Sequence, residues 1–291
     1  MFPKAPDSHK PNKPLVPNGL GVIYVLVSAT YLFLLHWHNP SGIDVSNNVS
    51  PALTLAVCIL FGGFMGLLDD WMDLRWRYKA FFPLIAAIPL ISLAYRLGLR
   101  TSITTPIFGA IDFGNYYYFI IIPLIVTITS NTVNQLGGLN GLETICPAII
   151  IVGLMAISGS NVILLYVPSI TWLLLAFFNF QGKIFVGNTG SFAIGMTLAA
   201  FAITSDLKSS LLISLLPNIF NSSLILLNHF FFRTRASVSF DGEKLVSDHR
   251  RSLITLITYR RPLSERQVVV IISLLVAVST FAALIFQWLL L

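Results

Sequence analysis

Three carboxylates, Asp69, Asp70 and Asp73, open the stretch GLLDDWMDLRWRYK (66–79), and three cations, Arg75, Arg77 and Lys79, close it. Side chains three and four positions apart share a helix face. The spacing of Asp69 and Asp70 to Asp73 therefore predicts that all three acids point into one space. Like charges held that close at a bilayer edge call for a neutralising cation. Carboxylate oxygens are hard donors that suit Mg²⁺, or alternatively Mn²⁺. Mg²⁺ usually binds one or two carboxylates, keeps several waters and takes substrate phosphates. The three cations nearby suit those phosphates. The plain alternative is a charged membrane loop, but such a loop needs basic residues, not clustered acids.

Three more polar segments carry candidate chemistry. Asn131–Glu143, NTVNQLGGLNGLE, offers the amides Asn131, Asn134 and Asn140 to hydroxyls, amides or a base, and ends on Glu143. It holds no Lys or Arg, so it is no phosphate clamp by charge; a Gly/Asn-rich turn is its ordinary reading. Lys183–Ser191, KIFVGNTGS, leads into an apolar run, and a helix N-terminus there would face a phosphate. Capping by Thr189 or Ser191 is the competing reading. The segment 232–266 begins FRTR, with Arg233 and Arg235 placed to chelate phosphate. It continues through SVSFDGEKLVSD, where Asp241-Gly242 between alternating residues predicts a β-hairpin. His249 is read either as a base or as an interfacial residue. The stretch 252–259 is too short to span and is expected at the membrane interface, while Arg260, Arg261 and Arg266 are expected to meet lipid headgroups.

The elements that position these residues are membrane helices. Of 291 residues, 55% are hydrophobic and 10% charged, with mean hydropathy +0.80, whereas soluble domains are about 25% charged. This excludes a soluble domain, and the modest net charge of +6 reads as membrane topology rather than affinity for nucleic acid. Apolar runs predict an all-α polytopic protein of one domain, 1–291. Nine spans are expected near 19–37, 52–68, 81–97, 114–130, 142–158, 162–178, 190–205, 209–231 and 267–291. Gly159-Ser160-Asn161 predicts a tight hairpin between the fifth and sixth. Cys58 and Cys146 lie in apolar runs and read as small buried hydrophobes. The polar, Pro/Lys-rich segment 1–18 does not read as a cleavable signal peptide.

If 1–18 is cytoplasmic, alternation puts 69–80, 131–141, 179–189 and 232–266 on the same side. Of the 18 Lys and Arg residues only Arg96, Arg100 and Lys208 then fall outside, the bias expected of a cytoplasmic face. Every candidate segment shares that face. Polar groups confined to one side weigh against a transporter, whose site belongs near the midplane.

Taken together, these segments resemble the polyprenyl-phosphate N-acetylhexosamine-1-phosphate transferase family over nearly the whole chain. DDWMD is similar to its DDxxD/N element, KIFVGNTGS to its FxGD element, and Lys13–Gly21 (KPLVPNGLG) to its first cytoplasmic loop. LRWRYK, NQLGGLNGLE and FRTR followed by a DGE hairpin and PLSER resemble the archaeal and eukaryotic branch. Bacterial members usually carry an acidic DGxDG element where Gly137–Gly141 stands here. The resemblance implies transfer of N-acetylglucosamine-1-phosphate from UDP-N-acetylglucosamine to a polyprenyl or dolichyl phosphate. UMP leaves, and lipid-linked glycan assembly begins. It implies Mg²⁺ held by Asp70 and Asn188, with Asp69, Asp70 and Asp73 catalytic. Lys79, Asn131, Asn134, Asn140, Glu143, Lys183, Arg233, Arg235 and His249 are the implied substrate-binding set. A cell membrane is the implied location, or the endoplasmic reticulum in a eukaryote, and membrane lipids are further partners; a homodimer is compatible with all of this. The alternatives are a bacterial-type transferase of the same family and an inactive lipid-binding relative. The chain departs from the family in two places. Ten spans are usual, so the first is expected to be absent here. Asn188 stands where most members have a metal-binding aspartate.

Overall fold

A computed structural model describes residues 2–10, 12–38 and 50–290. The helices are α1 (Gly21–His38), α2 (Pro51–Met72), α3 (Trp76–Ala86), α4 (Ile88–Arg96), α5 (Ile122–Gln135), α6 (Leu142–Ala156), α7 (Tyr166–Phe180), α8 (Gly187–Thr204), α9 (Lys208–Ser214), α10 (Leu216–Phe232), α11 (Leu253–Ile257) and α12 (Glu265–Leu290). Among the described residues, six helical stretches are long and apolar enough to cross a membrane: 21–38, 51–72, 76–96, 117–135, 159–180 and 265–290. The protein is a multi-pass membrane protein.

Helix stands at each of the nine expected positions, but not always as one unbroken helix. The stretch expected at 81–97 is α3 and α4, which meet at Ala87. Pro83 and Pro89, on either side, each remove a backbone donor. The stretch expected at 209–231 is α9 and α10, bent by 60°. Pro217 cannot donate to the Ile213 carbonyl, and the Ser279 hydroxyl of α12 donates to it instead at 2.6 Å. The α6 helix has 15 residues, fewer than the roughly 20 a full crossing needs. It packs against α7 as the expected hairpin, joined through a 3₁₀ turn over Gly159–Leu165.

The middle of the bundle is α8. Every residue from Thr189 to Ile203 is buried, and α8 packs most extensively on α2 and α5. Lipid tails give no hydrophobic drive between helices, so close packing of small residues must hold them. At Gly66 of α2 an added Cβ would stand 2.1 Å from the Asn188 carbonyl oxygen. At Gly195 of α8 it would stand 2.7 Å from Ser130 Cα on α5. This small-residue composition keeps α8 out of the six apolar stretches even though it is the most enclosed helix.

Three short antiparallel pairs cap the ends. β1 (Lys4–Pro6) pairs with β2 (Leu15–Pro17), and β3 (Ser102–Thr105) with β4 (Gly109–Asp112); neither pair is expected from the sequence. The predicted hairpin over 236–248 contains β5 (Ser239–Phe240) and β6 (Leu245–Val246). Its loop runs over four residues rather than two. The Asp241 carboxylate accepts from the amides of Lys244 and Glu243, which holds its carboxyl below the usual range. α11 is more than an interfacial patch: Leu253 and Thr255 are buried, and the Leu253 amide donates to Asn221 of α10. Cys58 and Cys146 are buried free thiols.

The five polar segments meet at one end of the bundle. Phe185 N donates to Pro17 O, Asn131 to Lys79 O, Thr189 N to Asp70, and Asn140 to both Asp7 and Glu265. Arg100, Asp206 and Lys208 form a separate charged group at the opposite end.

Candidate active site

The last turn of α2 supplies two acids with different tasks. Asp69 is buried; its Oδ1 accepts from Leu74 N at 2.9 Å, and its Oδ2 lies 2.8 Å from Lys79 Nζ. The loop 73–75 between α2 and α3 is thus folded back so that Lys79 meets Asp69. Asp73 does not join them. It is the C-cap residue of α2, left-handed at φ +48°, and exposed. Helical spacing therefore no longer applies to it, and the expected convergence of three acids on one face reduces to Asp69 and Asp70. Even these two point to different partners.

Asp70 reaches the first turn of α8. Its Oδ1 accepts from Asn188 N at 2.8 Å, and its Oδ2 accepts from Thr189 N at 2.9 Å and Thr189 Oγ1 at 2.7 Å. The α8 N-cap position is Val186, which has no side-chain oxygen. A carboxylate from α2 takes over that role, favoured by the positive end of the helix. Gly187 makes room: its φ is +69°, and a Cβ there would stand 2.8 Å from Asp70 Oδ2. The cap that the competing reading assigns to Thr189 or Ser191 thus comes from outside the helix.

Asn134 completes this corner. Its Nδ2 donates to Asn188 Oδ1 at 2.7 Å and to Ser191 Oγ at 3.0 Å. Asn131 donates to the carbonyls of Lys79 at 3.1 Å and Thr127 at 2.9 Å, so it holds the backbone that carries Lys79. Glu143, in the first turn of α6, packs beside Gly137.

The remaining predicted residues divide. Arg235 lines a cavity of about 620 Å³ with Lys79, Asn131 and Asn134. Arg233 is left-handed at the C-cap of α10 and exposed. Lys183 is exposed, 6.0 Å from the Phe178 ring centroid. His249 Nε2 faces the Ser237 amide and hydroxyl, each at 3.3 Å, and closes its own loop. Asn140 sits in a different cluster: its backbone and side-chain amides donate to Glu265 Oε1, and its Nδ2 also donates to Asp7 Oδ2. Among the described residues, Asp7, His9 and Glu265 are the one His/Asp/Glu group with ligand atoms within 4.8 Å of one another. Lys10, 3.1 Å from Asp7, and the Asn140 amide already occupy its carboxylates, so it reads as a clasp between the N-terminal segment and α12.

Sequence reasoning missed the wall of the cavity. Trp76 and Phe230 make an edge contact across it, ring centroids 5.1 Å apart, and His229 and Ser222 line it from α10. Gln135 Oε1, Ser222 Oγ and Thr127 Oγ1, of residues lining this cavity, are buried with no hydrogen-bond partner among the described residues. The signal was available in 209–231, an apolar run whose polar residues include Asn218, Asn221, Ser222 and His229, because polar groups inside a span mark functional faces.

For Mg²⁺ the donor chemistry is suitable. Asp70 is exposed and, unlike Asp7, has no cation paired with it among the described residues; its carboxylate and Asn188 Oδ1 are hard oxygens whose hydrogen bonds, from the α8 N-terminus and from Asn134, a bound cation would share or replace. One carboxylate among neutral donors leaves the remaining positions to water and phosphate.

A membrane bundle whose acidic corner adjoins a cationic, apolar-walled cavity is suited to transferring phosphorylated groups to lipid. The family model described as "Glycosyl transferase family 4" matches residues 52–206, and the chain belongs to that family. It is 33% identical, over 97% of its length and 87% of the other, to a protein of Saccharolobus solfataricus. That protein is provisionally named UDP-N-acetylglucosamine–dolichyl-phosphate N-acetylglucosaminephosphotransferase. The protein of that name from Schizosaccharomyces pombe is 27% identical over 75% of this chain, which spans 59% of it. A phospho-N-acetylmuramoyl-pentapeptide-transferase of Bacillus cytotoxicus is 30% identical over 75% of this chain and 68% of its own length.

Proposed function

We propose that the chain transfers N-acetylglucosamine-1-phosphate from UDP-N-acetylglucosamine to a polyprenyl phosphate of the dolichyl type, releasing UMP. The observation that carries this reading is the corner where Asp70 meets the α8 N-terminus, joined through the Asn188–Asn134 hydrogen bond to an apolar-walled cavity that Lys79, Asn134 and Arg235 line. The names of the Saccharolobus and Schizosaccharomyces relatives support the substrates.

In this reading an oxygen of the lipid phosphate attacks the β-phosphorus of the nucleotide sugar. A new P–O bond forms, the bond between the two phosphates breaks, and UMP leaves with that electron pair. The lipid phosphate is largely dianionic at neutral pH, with a second pKa near 6, so no protein base is required. Asp69 accordingly serves to hold Lys79, whose ammonium meets phosphate oxygens. Arg235 adds a guanidinium matched to two phosphate oxygens. Asp70 and Asn188 would hold Mg²⁺, which when bound would further neutralise the diphosphate. The apolar wall from Trp76 to Phe230 takes the first part of the lipid chain. The site faces the cytoplasm in this reading.

The test uses purified full chain, labelled UDP-N-acetylglucosamine, polyprenyl phosphate and Mg²⁺. Formation of lipid-linked label together with UMP supports the reading. Product only from UDP-N-acetylmuramoyl-pentapeptide would assign the bacterial-type reaction, and none with either donor and any metal would assign an inactive relative.

A further inference from the structure

We propose that the cleft between segment 250–263 and the start of α12 binds an anionic phospholipid, at a site separate from the transfer cavity. The cleft has a volume of about 680 Å³, and Arg250, Arg260 and Arg261 line it together with Tyr259, Leu263 and Ile271. The Arg250 and Arg260 guanidinium carbons lie 4.2 and 5.2 Å from the Tyr259 ring centroid, so one ring organises two cations. Among the described residues none of these three arginines forms an ion pair with a carboxylate. Three neighbouring positive charges without a counter-charge make a site for an anion.

The cleft is built rather than accidental. Leu263 exchanges backbone hydrogen bonds with Leu245 of β6 at 2.7 and 3.1 Å, and Arg260 N donates to Ser247 O at 2.9 Å. Arg260 is held left-handed at φ +50°, a conformation that a non-glycine residue adopts at a cost. The backbone is thus fixed in the form that brings these arginines to one cleft.

The other wall identifies the ligand as a lipid. Leu263 and Ile271 also line a second groove, of about 320 Å³, with Gln267 and Val270. That groove runs onto the outer face of α12, a helix long and apolar enough to cross the membrane, where Val270 and Ile271 are exposed. A headgroup phosphate at the arginines would place an acyl chain along this face. Guanidinium forks match phosphate oxygens, and a zwitterionic headgroup would bring a cation of its own into a positive cleft. Net-negative headgroups are therefore favoured, in line with the attraction of basic membrane-surface segments to anionic lipid.

The test titrates the purified full chain in detergent with dioleoyl phosphatidylglycerol or dioleoyl phosphatidylcholine and counts bound lipid by native mass spectrometry. Phosphatidylglycerol is expected to bind about tenfold or more tighter, and the variant R250A/R260A/R261A is expected to reduce that preference to about twofold or less. Excess inorganic phosphate is expected to leave lipid binding unchanged. A wild-type preference of twofold or less overturns the proposal, as does a preference that survives in the triple variant. Displacement of the lipid by inorganic phosphate overturns it in favour of a free-anion site. If the triple variant does not accumulate, Arg261→Glu carries the comparison: loss of preference supports the site, and an unchanged preference overturns it.

Discussion

At the scale of single residues, the two adjacent acids should fail in different ways. Asp69 neutralises Lys79 in a buried pair, and removing one partner of such a pair costs about 3–5 kcal/mol when it is fully buried. Lys79 is partly exposed, so the cost falls below that range. Asp69→Asn should lower both the unfolding temperature and kcat. In a double-mutant cycle with Lys79→Gln, the two losses should fall well short of adding, measured by thermal unfolding in detergent; additive losses would mean the pair is not coupled. Asp70 instead accepts three bonds from α8. Asp70→Asn turns a donor toward other donors and should cost about 1–3 kcal/mol besides abolishing product. Asn188 tests the metal. Its side chain already accepts from Asn134, and a carboxylate there keeps that bond while adding charge. Hard cations are held more tightly as ligand charge rises, so Asn188→Asp should lower the Mg²⁺ concentration for half-maximal activity. An unmoved titration in active protein would remove Asn188 from the ligand set. Asp69, Asp70 and Asn134 were legible from residue type and segment, and Asn188 only through the family resemblance. Their partners were not, because helical spacing speaks only within one helix, whereas Asp70 acts on another and Asp73 lies past the end of its own.

At the scale of elements, the site depends on how closely α2 approaches α8. Gly66→Ala places a methyl group where the Asn188 carbonyl stands, and neither backbone can yield without withdrawing Asp70 from the α8 N-terminus. Overpacking of this kind costs about 1–3 kcal/mol or more. The variant should lose both stability and product formation, whereas Leu67→Ala, at an exposed position on the same helix, should change neither by much. Equal behaviour of the two variants in unfolding and transfer assays would show that the close approach does not matter. Hydropathy located most of the helical stretches, because burial in lipid needs long apolar runs. It did not reveal that α8 is central, since a fully enclosed membrane helix is selected for small residues rather than for high hydropathy. Nor did it show α9 and α10 as a bent pair, since the Pro217 break is offset by Ser279 on a helix some sixty residues away. The strands β1 and β2 were invisible for a related reason: three-residue segments carry too little periodicity to announce themselves, and their docking is set by Phe185 and Pro17.

At the scale of the whole molecule, the polar ends of the bundle differ in kind. One gathers Asp69, Asp70, Lys79, Arg235 and the 232–266 segment; the other holds Arg100, Asp206 and Lys208, tied to one another and, through Arg100 and Ser102, to β3. Fifteen of the 18 Lys and Arg residues lie in the segments of the first end, counted from Lys4, Lys10, Lys13, Arg75, Arg77, Lys79, Lys183 and the eight between Arg233 and Arg266. Positive residues in short loops are retained on the cytoplasmic side during insertion, so this bias predicts that the candidate site opens to the cytoplasm, where a soluble nucleotide sugar can reach it. The two native cysteines are buried, so single introduced thiols can report the orientation without first removing them. Asp241→Cys in the hairpin loop and Ala110→Cys in β4 both occupy exposed positions, one at each end. In intact cells a membrane-impermeant thiol reagent should label Ala110→Cys and leave Asp241→Cys unlabelled until the membrane is opened. The reverse pattern would invert the protein and put the candidate site on the side away from the cytoplasm. Labelling of both positions before permeabilisation would mean that the chain inserts in two orientations and that the cation bias does not fix its topology.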